Sequence, residues 1–478
     1  MSSSTIQRRT FLAQMRQAAA GLFGGSWLVG SARAQGSKKG APATGPKKSA
    51  AGRTPTVFEP ARNVPIVRKT DVLVCGAGPA GIAAAITAAR NGAQTLLIER
   101  HPFLGGVWTA GALTIILDAY GKHGLIEEIL RRLEARGHTL TWAVAPRYTV
   151  YSGEGMKYLL DDMVGAAKVQ VQLYTQVVAV ARSGNRISGV FTESKSGREF
   201  VEAKIIIDAT GDGDVAAFAG CAYEKGRPSD GKMQPMTLMG RIGGYRGEGA
   251  VGQPLVDICR RAGWEPTLSR VVLRPQPNQP GVFMLMATHL YGDGTNTRDL
   301  TDAEVRGRWE IRKTLEALKQ HGGDDWKDAF LLDTGPFVGI RETRRILGRY
   351  YLTIEDLKAG AHFDDGICDV NQLADIHFPD PQEGRGLRVV QHKRPYQIPY
   401  RCLLPKDVDN LMMAGRCISG DHIAHASYRV TGDAVPMGEA AGLAAAMALE
   451  AKVLPPSVDP RLLVKRLKSI RASTAPKT

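Results

Sequence analysis

The chain has 478 residues, 62 Lys and Arg against 47 Asp and Glu, and a formal net charge of +15. That length allows two to four domains of roughly 100–200 residues, and 43% hydrophobic with 23% charged residues excludes wholesale disorder. No apolar run reaches the ~18 residues that span a bilayer, and six scattered cysteines exclude a disulfide scaffold.

The charge sits at the ends. Residues 1–70 hold 12 Lys and Arg with one acid, and residues 461–478 hold six with none, which leaves 71–460 at −2. A nucleic-acid groove would lie on the folded body, so the excess reads as solvated basic ends and nucleic acid is not an expected partner. Arg8-Arg9-Thr10-Phe11-Leu12, the weakly apolar stretch Ala18 to Val29 and the small-x-small site Ala32-Arg33-Ala34 resemble a bacterial twin-arginine (Tat) signal, departing from it at Gln7 and Ala13. The Tat route carries folded proteins, often with a cofactor already bound. The resemblance therefore implies a periplasmic or exported protein, the Tat machinery as a partner and a cofactor in the body. After this signal (1–34), residues 35–69 read as a flexible linker.

Thr70 to Cys75 reads as a buried strand. Gly76-Ala77-Gly78-Pro79-Ala80-Gly81 follows at once, then an Ala-rich helix from Ile82 to Arg90 and a second strand from Gln94 to Ile98 that ends in Glu99. Gly76 permits the tight turn, Gly78 lets a pyrophosphate approach a helix N-terminus, Gly81 lets helix and strand pack closely, and Glu99 accepts from a ribose diol. That order predicts dinucleotide binding by these residues and the adjacent Arg100. Gly247 to Gly252 also spells G-x-G-x-x-G, but no strand precedes it and it reads as a loop. No second nucleotide domain and no built-in NAD(P)H site is expected.

Gly105-Gly106, six residues past Glu99, resembles the doublet of the glutathione-reductase-like flavoproteins. Two downstream segments extend the resemblance: Ile205 to Asp208 running into Ala209-Thr210-Gly211, and the strand Leu411 to Met413 followed by Asp421. It implies bound FAD, with Asp421 on the ribityl chain and the helix from Gly438 aiming its positive end at the flavin pyrimidine. Between these motifs, Met156 to Val164 reads as a helix and Val171 to Tyr174 as a strand. Val177–Ala181, Arg186–Thr192 and Glu199–Glu202 read as a β-meander. An amphipathic helix is predicted near Ala303–Gln320, with Val305, Ile311, Leu315 and Leu318 on one face. The fold class is α/β: a Rossmann-like FAD-binding domain (70–221 and 400–455, parallel sheet plus meander), an inserted α+β substrate domain (222–399) and a basic tail (456–478).

Gly339 to Ile346, Ile398 to Arg401 and Gly415 to Ser419 make the body similar to a bacterial family of FAD-dependent oxidoreductases, related to the fumarate reductase and succinate dehydrogenase flavoproteins. His425 and Arg429 have the His-x-x-x-Arg spacing that binds a substrate carboxylate there. Gln234-Pro235-Met236-Thr237 stands where those enzymes have His-Pro-Thr, which puts a dicarboxylate substrate in doubt. Val107-Trp108-Thr109 offers no His for a covalent flavin link, so FAD is expected to be non-covalent. Arg429, Arg341 and Thr237 are the candidate substrate-binding residues, and His425, His422 and His377 the candidate acid/bases. Of the run Arg341, Arg344, Arg345, most charges are expected to pair within the protein. His422 and His425 lack a third ligand, so no metal is expected. The cysteines at 75, 221, 259, 368, 402 and 417 include no C-x-x-C, which argues against a redox dithiol and against the iron–sulfur clusters of heterodisulfide reductase A-like relatives. The function implied is hydride transfer between a small polar or anionic metabolite and FAD, with an unknown electron acceptor. The alternatives are an oxidase using O₂ and a flavin-bearing electron-transfer or binding module.

Overall fold

The computed structural model of the chain describes residues 56–143 and 148–474. The twin-arginine segment and most of the predicted linker lie outside the described residues. Residues 56–62 carry no regular structure, and the chemistry belongs to the unit that begins at Asn63.

Strand β1 (Ile66–Cys75) starts four residues ahead of the predicted Thr70, because Ile66–Lys69 pairs with Phe200–Glu202 of a later strand. The linker boundary at 69 is corrected accordingly. Val72–Cys75, buried on both faces, carry the apolar run that a central parallel strand requires. Helix α1 (Pro79–Arg90) begins with Pro at its first turn, where the missing N–H costs no hydrogen bond. Strands β2 (Thr95–Ile98) and β3 (Gln170–Gln172) extend the sheet in parallel. The meander follows as β4 (Gln176–Ser183), β5 (Arg186–Ser194) and β6 (Gly197–Asp208), giving the order β3-β2-β1-β6-β5-β4. The predicted strands Glu199–Glu202 and Ile205–Asp208 are one: Lys204 breaks the apolar pattern by facing out to pair with Asp71 at 2.7 Å, and the backbone runs straight through.

The insert builds a second, antiparallel sheet from β7 (Met239–Gly243), β8 (Ala250–Val251), β9 (Val272–Pro275), β10 (Phe283–Met286) and β11 (Phe330–Thr334), in the order β8-β9-β10-β7-β11. The second G-x-G-x-x-G segment contains β8, which pairs antiparallel with β9, so it opens no βαβ unit. Helix α2 (Thr297–His321) covers this sheet with Ile311, Leu315 and Leu318. Val305, predicted on the same face, is exposed. Six residues ahead of Ile311, it lies roughly 120° around the helix.

The chain returns as β12 (Leu411–Met413), parallel to the C-terminal half of β6. Helices α3 (His422–Tyr428) and α4 (Thr431–Ala451) follow, and α4 packs along α1. A Cβ on Gly438 would come 2.0 Å from the Ala80 oxygen and one on Gly442 2.3 Å from the Ala84 oxygen. The predicted tail is corrected over most of its length: α5 (Pro460–Thr474) buries Leu463 and Leu467, one turn apart, and Arg471 pairs with buried Glu439 at 2.7 Å. Among the described residues no helix is long and apolar enough to cross a membrane.

Candidate active site

A cavity of about 420 Å³ lies where the C-terminal ends of β1, β6 and β12 meet the antiparallel sheet. At one end it is lined by Gly76, Gly78, Pro79, Ala80, Glu99, Arg100, Gly106, Ala209, Thr210 and Gly211. A Cβ on Gly78, the N-cap of α1, would meet nothing within 4 Å, so that backbone is open to the cavity. On Gly81 it would come 1.8 Å from the Gly76 oxygen, and on Gly106 2.9 Å from Gly78 Cα. Ala77, Gly81 and Gly105 therefore build the turn behind the wall, with the Gly105 N–H donating to the Ala77 oxygen at 2.8 Å. Glu99 accepts from the Ala77 N–H (2.7 Å) and the His101 N–H (2.9 Å) with different oxygens. Each oxygen keeps a lone pair for a diol. An open glycine at a helix N-terminus beside such a carboxylate fits the ADP half of a dinucleotide.

The other end holds Arg341, Arg429, Thr237, Asp375 and His377. Arg341 Nη1 donates to the Pro235 oxygen at 2.5 Å and Thr237 Oγ1 at 2.7 Å. Arg429, the residue that ends α3, donates through Nη2 to the Asp375 main-chain oxygen at 2.9 Å, and its buried Nε has no partner. Burial, with repulsion from Arg429, pulls the Arg341 guanidinium down to about 9, so it stays charged at neutral pH. Burial works to raise the Asp375 carboxyl, but the hydrogen bond from His377 and the two arginines outweigh it and hold it below the usual carboxylate range. Burial and Arg341 pull the His377 imidazole down to about 4, so it is neutral. Its Nε2 lies 3.5 Å from Asp375 Oδ2 and its Nδ1 2.8 Å from His289 Nε2. An ionised carboxylate only accepts, which assigns hydrogens to His377 Nε2 and His289 Nε2. That leaves His289 Nδ1 a bare acceptor, and it has no partner, as has Asp375 Oδ1. Of the arginine run, Arg344 pairs with Asp214 and buried Arg345 with Glu342.

Besides Ala77, Gly81 and Gly105 behind the wall, four predicted site residues do not line the cavity. Asp421 caps α3, its Oδ1 accepting from the Ile423 and Ala424 N–H groups and its Oδ2 from the Ile354 N–H at 2.6 Å. Gly438 is the α1–α4 contact one turn and more inside α4, whose N-terminal residues Val430 and Thr431 line the cavity instead. His422 Nδ1 bonds buried Glu342 at 2.9 Å. His425 is fully buried against Tyr428, and neither ring nitrogen has a partner. The Arg429 N–H still bonds the His425 oxygen at 3.1 Å, but only the arginine side chain lines the cavity, while the imidazole is packed into the core. Four groups escaped sequence reasoning, one of them His289 behind His377. Arg416, three residues past the end of β12, lines the cavity and pairs with Asp212 at 2.8 Å. Asp375 comes from a short cap strand with no motif around it. Arg274 directly follows Val271-Val272-Leu273, and a lone charge in an apolar strand was the available signal.

The profile of the family described as FAD dependent oxidoreductase matches residues 71–468. The chain belongs to that family and is an FAD-dependent enzyme. Among curated proteins, thiamine thiazole synthase of Sulfolobus acidocaldarius is 31% identical over 166 residues, 32% of this chain and 59% of that protein. Thiamine thiazole synthase of Saccharolobus islandicus (strain L.S.2.15 / Lassen #1) is 31% identical over 166 residues, 32% and 58%. The chain thus spans under two thirds of the length of these curated relatives. Among solved structures, a geranylgeranyl bacteriochlorophyll reductase-like protein of Thermoplasma acidophilum shares 14% identity at a TM-score of 0.46, over 84% of this chain and 83% of that one. The p-nitrophenol 4-monooxygenase of Pseudomonas putida shares 11% identity at 0.46, over 85% and 89%. Among the described residues no three His, Cys, Asp or Glu side chains converge as a metal site, and all six cysteines are buried and unpaired.

Proposed function

We propose that the protein is an exported dehydrogenase or reductase that moves a hydride between a small anionic metabolite and non-covalently held FAD, without an iron–sulfur cluster. The carrying observation is Arg341 and Arg429 in one cavity wall, held by main-chain oxygens and a hydroxyl and, among the described residues, ion-paired to no carboxylate. Two guanidiniums presented this way bind a carboxylate and hold its neighbouring carbon in line. FAD supplies the hydride acceptor or donor when bound. The unpartnered Asp375 Oδ1 accepts the hydrogen bond of a substrate hydroxyl, and the Asp375–His377 pair takes its proton as the hydride leaves. His289 fixes the ring of His377 from behind.

The test is anaerobic titration of the FAD-loaded chain with 2-hydroxy acids, watching flavin absorbance. Bleaching by one of them supports the reading. Arg429→Gln is expected to lose that bleaching while retaining FAD, and bleaching unchanged in this variant overturns the role of the arginine. Release of all flavin on denaturation supports a non-covalent link, and flavin retained on the chain opposes it. Export predicts that Arg8→Lys with Arg9→Lys leaves the protein in the cytoplasm.

A further inference from the structure

Arg274 has no part in the chemistry above, yet it faces the same cavity. It stands on β9, inside the antiparallel sheet, with 6% of its surface exposed. Its Nε and Nη1 are buried without partners, and no described carboxylate pairs with it. Thr114 Oγ1, an acceptor nearby, takes its hydrogen bond from the Gln276 amide at 2.9 Å. Arg341 and Arg429 at least reach oxygens of the protein, whereas Arg274 reaches none. Only the Trp142 ring, 5.7 Å from its Cζ, gives it a polarisable face. Burial lowers its guanidinium to about 10, which leaves it a cation at neutral pH. A desolvated cation with free donors is strongly unfavourable unless an anion completes it. Leu268, Val272 and Met286 line the cavity around it with apolar surface.

We infer that Arg274 binds a second anionic group of the substrate, which is an elongated organic dianion with an apolar middle. This rests on the Arg341–Arg429 carboxylate site proposed above. One end sits on that pair, the apolar middle lies against the cap-sheet side chains, and the far end completes Arg274. The residue therefore selects for length and for a charge at the distal end.

The probes are α,ω-dicarboxylates of four to ten carbons, each compared with the monocarboxylate of equal length. They are titrated into the FAD-loaded full chain and read by perturbation of the flavin spectrum. At least one diacid is expected to bind about tenfold more tightly than its monoacid. Arg274→Gln is expected to bring that ratio close to one while monoacid binding and flavin content stay unchanged, and Arg274→Lys to restore part of it. The inference is overturned if no diacid outbinds its monoacid, if the ratio survives in Arg274→Gln, or if that variant loses flavin, which would assign Arg274 to the cofactor. Arg429→Gln reports on the underlying site separately: it should weaken both probe classes alike. If it changes neither while Arg274→Gln abolishes the ratio, the Arg341–Arg429 reading fails and Arg274 stands.

Discussion

At the residue scale, the histidines show what burial does to a titratable group. His101, His377 and His425 are all pulled below the ordinary imidazole range, first by desolvation and then by nearby arginines. An unfolded histidine protonates near 6.5, while His377 in the fold protonates near 4. Between those values the unfolded chain binds more protons, so stability is fully present above pH 6.5 and is lost as pH falls through 4. The interval corresponds to about 3 kcal/mol for this one residue. Urea midpoints are expected to hold from pH 7.5 to about 6.5 and to fall from there down to pH 4.5. His425 is pulled well below the ordinary range by burial and has no hydrogen bond to lose, so His425→Phe should flatten the fall in stability with acid. An equal pH slope in that variant would remove His425 from the account.

At the element scale, two glycines near the cavity act by opposite means. Gly78 has open space where a Cβ would go, and Gly438 has the Ala80 oxygen at 2.0 Å. Gly78→Ala is therefore expected to fold with its unfolding midpoint nearly unchanged and to purify with little flavin, because the methyl fills the cradle. Gly438→Ala forces α4 off α1 and is expected to cost about 1–3 kcal/mol, read by chemical denaturation, with flavin lost as a consequence. If Gly78→Ala keeps its flavin, the cradle is misplaced. The strand–glycine–helix–strand–acid order was legible because every part is a neighbour of the next in sequence, and each glycine type answers a local steric demand. The ribityl reading of Asp421 rests on the same kind of local cue, an acid following a strand end, whereas Ala414, Gly415 and Arg416 line the cavity after β12 and Asp421 is an N-cap. Arg274, Asp375 and His289 come from three separate strands or loops of the insert. Their meeting is a product of sheet packing, which leaves no spacing in the chain.

At the scale of the whole molecule, the basic C-terminus is structural rather than merely solvated. Arg471 pairs with Glu439, which is almost fully buried on α4 and also accepts from the Leu125 N–H at 3.1 Å. Arg471→Met leaves that carboxylate uncompensated, and a loss of about 3 kcal/mol is expected in thermal or urea unfolding. Glu439→Gln combined with Arg471→Met should recover part of it, since the buried charge is then gone. An unchanged midpoint in the single variant would show the pair to be dispensable.

Strand β6 is held on one edge by β1 along its length, and on the other by two partners in succession: β5 for its first half and β12 for its last. The first partner is made just before β6, and the second arrives some two hundred residues later in the chain. A ribosome-bound chain that has finished the meander therefore exposes half an unpaired edge, together with a glycine turn that α4 has yet to cover. Arg416, Val430 and Thr431 of the cavity wall are synthesised later still. Capture of the cofactor is thus among the last events in maturation, and every stage before it carries a sticky, half-built sheet for a chaperone to guard.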